Sequence, residues 1–178
     1  MAWDETMRTS GLSDKKMAQV VLSRFESGDT KDGIKFSLGG LYVYPTIGFE
    51  YVSKDALESI KRVNPEAIID GVGVKYSAIA RPSAKSRKRG NMNVRLEHII
   101  PVEALYQHLS KLKKLTVNYI VELMPLLKIA VIKKEEDKKL KVFNDKMPEG
   151  WWESNSKDPL ERYRKSGLKD SIWVVKPK

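Results

Sequence analysis

The chain has 178 residues, no cysteine and a net charge of +10, from 33 Lys and Arg against 23 Asp and Glu. Without cysteine there is no disulfide framework, thiolate zinc site or cysteine nucleophile, and the length suits one domain with an appended lobe. The charge excess favours a polyanionic partner, nucleic acid first, with an anionic membrane surface or plain solubility as the alternatives.

Nowhere does the chain reach the roughly 18 consecutive apolar residues that mark a membrane span. The opening MAWDETMRTS lacks a basic head followed by an apolar run, so no secretory signal is expected and the location expected is cytoplasmic.

Residues 13–25, SDKKMAQVVLSRF, read as a helix capped by Ser13, with Met17, Val20, Val21 and Phe25 on one apolar face. The polar turn ESGDTKDG follows. The stretch GIKFSLGGLYVYPTIGFEYV, residues 33–52, alternates and is rich in β-branched and aromatic residues, which predicts two or three short strands. Ser53 caps a second helix, SKDALESIKRV, which Pro65 ends. AIIDGVGVKYSAIA, residues 67–80, reads as strand with Gly71 and Gly73 at a turn or bulge. Its GVG is no phosphate loop, lacking the Lys-Ser/Thr partner and the glycine spacing.

Composition changes abruptly over residues 80–91, ARPSAKSRKRGN, where Arg81, Lys85, Arg87, Lys88 and Arg89 stand among Pro, Ser and Gly. Such a run is either a solvated linker or a mobile clamp for a phosphate backbone, whose counterions it would release on binding. Arg95 continues the positive charge into NMNVRLEHIIPVEAL, residues 91–105. This β-branched run sets Glu97 beside His98, one of only two histidines, and closes on Pro101.

Downstream, VEALYQHLSKLKKL has Leu105, Leu109 and Leu112 at helical spacing, and VNYIVELMP reads as a short helix stopped by Pro125. LKIAVI, residues 127–132, is a strand, and KKEEDKKL, residues 133–140, has the composition of a helix. The C-terminal part mixes turn signals with one short helix, DPLERYRKSG, punctuated by Pro159 and Gly167. His108 and the Trp151-Trp152 pair read as packing residues, although the tryptophans also have the faces for base stacking.

Strand, strand and helix around the Glu97-His98 pair form a compact unit if the strands run antiparallel. The helix then folds back and carries Asp137 towards His98. A neutral imidazole takes a proton near physiological pH, and one or two carboxylates suffice to hold a magnesium-like ion that keeps several waters. Adjacent strand residues point to opposite faces, so Glu97 and His98 share a site only if the strand end twists or bulges before Pro101.

The run Leu96-Glu97-His98-Ile99-Ile100-Pro101 resembles the first half of the HNH, or His-Me finger, endonuclease motif. IAVIKKEEDKKL resembles its second strand and helix, and DPLERYRKSGL resembles the tail of some phage and bacterial members; together these cover about residues 93–168. The resemblance implies an α+β fold with a ββα-metal core, a helical insertion and an N-terminal α/β extension. Residues 1–90 fall outside the resemblance and are open to recognition, dimerisation or both, and residues 91–178 would form the nuclease core with a C-terminal extension.

It further implies a metal-dependent DNA endonuclease, with His98 as general base, Glu97 as a ligand of Mg2+ or Mn2+, and Asp137 in the place of the second ligand. Glu97 replaces the commoner aspartate, and Asp137 is unusual at its position, so Asn118 or Asn144 is an alternative second ligand. Arg81, Lys85, Arg87, Lys88, Arg89 and Arg95 would bind the nucleic acid. DNA is expected ahead of RNA, no membrane is expected, and homodimerisation is open, as is the choice between a restriction enzyme and a nicking phage-type nuclease. The alternative is a basic nucleic-acid-binding module without catalysis.

Overall fold

The computed structural model describes residues 13–42, 49–69, 73–75, 79, 92–168 and 172–174. They fall into two compact units: one gathers the described residues of 1–43, 100–127 and 145–147, the other those of 44–99, 128–144 and 148–178. The described residues of the first are helical and those of the second mix helix and strand, so the fold as a whole is mixed α+β. The boundary expected at residues 90 and 91 lies outside the described residues.

The first unit is helical. α1 (Asp14–Glu26) begins where Ser13 accepts a hydrogen bond from the Lys16 N–H, and it buries Met17, Ala18 and Val21. Gly28, at φ +66°, takes the left-handed conformation that turns the chain after it. α2 (Lys31–Gly40) follows, capped by Thr30. It corrects the strands expected over residues 33–52: among the described residues of that stretch, strand starts only at Tyr51. Ile34, Phe36 and Leu38 alternate as a strand would, but Ile34, Leu38 and Leu41 also satisfy the helical spacing. The Thr30 cap and the burial of that second set decide for helix. α4 (Val102–Ser110) and α5 (Val117–Leu123) complete the unit, with α1 packed on α2 and α5, and α2 packed on α4. Tyr42 Oη donates to the Ile100 carbonyl within it.

The second unit is built on a four-stranded sheet of order β4-β5-β1-β6, with β1 Tyr51–Ser53, β4 Val94–His98, β5 Ile129–Lys133 and β6 Ile172–Val174. β4 and β5 pair antiparallel, β5 and β1 parallel, and β1 and β6 antiparallel. β6 is a strand where the sequence suggested only turns and one short helix. A separate antiparallel pair, β2 (Ile68–Ile69) and β3 (Gly73–Val74), occupies the stretch read as strand around Gly71. α3 (Lys54–Val63), capped by Ser53 as its sequence predicts, packs on β1 and β5.

α6 (Lys134–Lys139) leaves β5 directly and packs on both β4 and β5. α7 (Glu161–Lys165) precedes Gly167, whose φ of +75° ends the helical turn. The core beneath these helices contains Ile99, Ala130, Ile132, Leu140, Tyr163 and Leu168. No described helix is long and apolar enough to cross a membrane.

Candidate functional site

The register of β4 against β5 runs unbroken from Val94 opposite Lys133 to His98 opposite Ile129. No bulge interrupts it, so the pleat sends alternate side chains to opposite faces. Arg95, Glu97 and Ile99 share the face that carries Ala130 and Ile132, whereas Val94, Leu96 and His98 leave from the other.

On the first face Glu97 meets Arg162, which α7 carries inward. Nη2 of Arg162 donates to Glu97 Oε1 in an ion pair whose arginine side chain is 0% exposed and whose glutamate side chain is 21% exposed. Beside it, Arg95 Nη1 lies 2.9 Å from Asp137 Oδ2, with the arginine side chain 58% exposed. Burial pushes the Glu97 carboxyl above the usual carboxylate range; Arg162 works against that shift and Asp137 adds to it. Asp137 and Glu97 thus feel one another, each already opposite an arginine.

Arg162 is incompletely satisfied. Its Nε and Nη1 and the Tyr163 Oη are buried without a hydrogen-bond partner among the described residues. The guanidinium carbon stands 5.2 Å from the centroid of the Tyr163 ring. Burial holds the Tyr163 hydroxyl well above its ordinary pKa, so it stays protonated.

His98 is the last residue of the edge strand β4, where the chain bends at Ile99 and Ile100. Its Nε2 is closed to solvent. Burial, and then the charge of Arg162, lower its pKa to about 4, so the imidazole is neutral near pH 7.

A second polar cluster joins the N-termini of α3 and α6. Ser53 Oγ donates to Glu136 Oε2 at 2.5 Å and also accepts the Ala56 N–H at 3.1 Å, while the Lys133 N–H reaches the same Glu136 oxygen at 2.7 Å. Glu136 is only 4% exposed, its Oε1 has no partner among the described residues, and burial raises its pKa.

The structure therefore brings Glu97, Asp137 and Arg95 together and adds Arg162 and Tyr163. It does not bring Asn118 or Asn144 to them by any described contact: Asn118 is an exposed residue of α5 in the helical unit, and Asn144 is exposed just after the 3-10 turn Leu140–Phe143. Arg81, Lys85, Arg87, Lys88 and Arg89 lie outside the described residues. Trp151 is 3% exposed and its Nε1 donates to the Asp158 carbonyl at 2.7 Å, which makes it a packing residue with Trp152 edge-on against it at 4.8 Å. His108 Nε2 lies 2.7 Å from Tyr119 Oη, within the helical unit.

This donor set does not fit a divalent cation. The two acidic candidates are each engaged by a guanidinium, and the fully buried Arg162 cannot shed its repulsion for a second cation into solvent.

Sequence reasoning missed Arg162, Tyr163 and Glu136. An arginine between a glutamate and a tyrosine on a five-residue helix carries no local sign that it turns inward; its partner lies 65 residues away. Glu136 left a sign in the chain, since it stands at the third position of α6, where a glutamate reaches back to the preceding N–H.

No family model, curated protein or solved structure shows significant similarity to the chain.

Proposed function

We propose that the protein hydrolyses phosphodiester bonds in nucleic acid, DNA ahead of RNA, with His98 as the general base. The observation that carries this reading is the antiparallel pairing of β4 with β5 followed at once by α6 across both strands. This order of strand, strand and helix around Glu97-His98 supports the reading that the resemblance to HNH proteins suggests. Glu97 and His98 leave β4 from opposite faces, so the twist or bulge that would join them is absent; a phosphate meets both only over the end of this edge strand, where His98 is the last residue. Lys134, Lys138, Lys139 and Lys141, all exposed on α6 and the turn after it, supply positive charge for the flanking backbone.

In this reaction a water oxygen forms the new bond to phosphorus and its proton passes to the His98 imidazole. The bond from phosphorus to the leaving sugar oxygen breaks, and that oxygen takes a proton from solvent. His98 is closed to solvent in the structure, so binding of the substrate has to open the strand end. Incubation with supercoiled plasmid tests the proposal: nicking by the wild-type chain that falls at least a hundredfold in His98→Ala supports it, and an intact plasmid under all conditions overturns it.

A second reading, a basic nucleic-acid-binding module, is favoured by one specific observation: the buried Arg162 already closes the Glu97 carboxylate. It predicts salt-sensitive binding that survives His98→Ala unchanged, with no cleavage by either protein.

A further inference from the structure

Two buried donors of one guanidinium stand unused at one place in the sheet unit. Arg162 commits Nη2 to Glu97, and its Nε and Nη1 have no partner within hydrogen-bond geometry among the described residues, beside the Tyr163 ring whose centroid lies 5.2 Å from the guanidinium carbon. Arg162 is 0% exposed and Tyr163 1% exposed, so this is no surface arginine with water at hand. Buried donors are costly to leave unused and ask for an oxygen acceptor. The guanidinium fork matches the paired non-bridging oxygens of a phosphodiester, and its charge persists at any physiological pH.

We propose that Arg162 is the resident cation of this site, doing at the scissile phosphate what the sequence resemblance assigns to a divalent metal. Glu97 then serves to hold and orient the guanidinium and is not a metal ligand. Nε and Nη1 are the donors that meet the phosphate oxygens as charge builds on them, once the opening of the strand end that His98 also requires has uncovered the guanidinium. The inference rests on the hydrolase reading above and sharpens it: cleavage needs no added metal ion. The proximity of Asp137 to Glu97 fits the same arrangement, because Arg95 neutralises that second carboxylate in place of an ion.

The test uses the full chain with supercoiled plasmid, once in excess EDTA and once in added Mg2+ or Mn2+. The expected result is nicking in EDTA within about twofold of the rate with metal, falling at least tenfold in Arg162→Lys, whose single ammonium cannot replace the fork. Because a buried variant can lose its fold, a second measurement uses the wild-type protein alone. Mn2+ added during proton NMR is expected to leave the His98 imidazole signal as sharp as that of His108. Nicking that stops in EDTA and returns with Mg2+, or selective broadening of His98 by Mn2+, overturns the proposal and leaves the hydrolase reading standing. No cleavage under any condition removes both.

Discussion

Two glutamates, one in each unit, meet cations in opposite surroundings. Glu103 on α4 takes Lys31 at 2.7 Å and Lys35 at 2.9 Å, both from α2, and its pKa is drawn down to about 2 by those two partners. Glu97 on β4 takes one arginine, and burial raises its pKa despite that charge. The pairing is of the same kind; the surroundings reverse its consequence. Glu103 is itself only 15% exposed, but Lys31 and Lys35 are 53% and 30% exposed and keep much of their own hydration. Arg162 is 0% exposed, and against it the solvation lost by Glu97 outweighs the attraction it gains, so the pair holds the site in one geometry more than it stabilises the chain.

The largest expected effect breaks the buried pair. Arg162→Met leaves Glu97 without its cation and should cost about 3–5 kcal/mol of unfolding free energy, read from urea denaturation. Converting both residues, Arg162→Met with Glu97→Met, should cost clearly less than the single change, since no uncompensated carboxylate remains. A double variant as unstable as the single one would mean that the shape of the arginine, and not its charge, matters at this position.

That pair also marks how far the sequence could be read. The strand at Glu97-His98, the strand at 129–133 and the helix after it were legible, because β-branched runs and a Lys/Glu-rich segment differ sharply in local preference. The caps at Ser13 and Ser53 were legible for the same reason: a short hydroxyl side chain ahead of an apolar period has one common use. The helix at 31–40 was not, since its apolar residues satisfy two periods at once and only tertiary burial chooses between them. The environment of Glu97 was least legible. A carboxylate destined for a metal and one destined for a buried arginine look identical in the chain, and nothing near residue 97 announces a partner at residue 162. The regular pleat through Glu97 and His98 was likewise open until the register with β5 was known.

A middle-sized effect concerns the other buried carboxylate. Glu136 is raised by burial and is held by Ser53 and the Lys133 N–H. A carboxyl whose folded pKa lies above its unfolded value contributes stability that is fully present below the unfolded value and is lost as pH rises through the folded one. Wild-type stability relative to Glu136→Gln should therefore decline as pH rises from about 4.5 through the raised folded value, with both hydrogen bonds to the side chain kept. Parallel stability curves for the two proteins across that window would show that Glu136 is not strained by its burial.

The smallest effect returns to Glu103, and here the sign is opposite. Its folded pKa of about 2 lies below the ordinary value of 4.5, so its contribution is present above about pH 4.5 and is lost as pH falls towards 2. Glu103→Gln should lower stability only slightly at neutral pH, because its lysine partners are 53% and 30% exposed and the pairing is screened by solvent. The difference between the two proteins should vanish on acidification. It should also shrink in about 1 M salt, where the screening length is about 3 Å, whereas the loss in Arg162→Met should persist there. Salt thus separates the two carboxylates without altering either: a Glu97–Arg162 pair that weakened in step with Glu103 would have to be open to water, and the buried guanidinium on which its role depends would not exist.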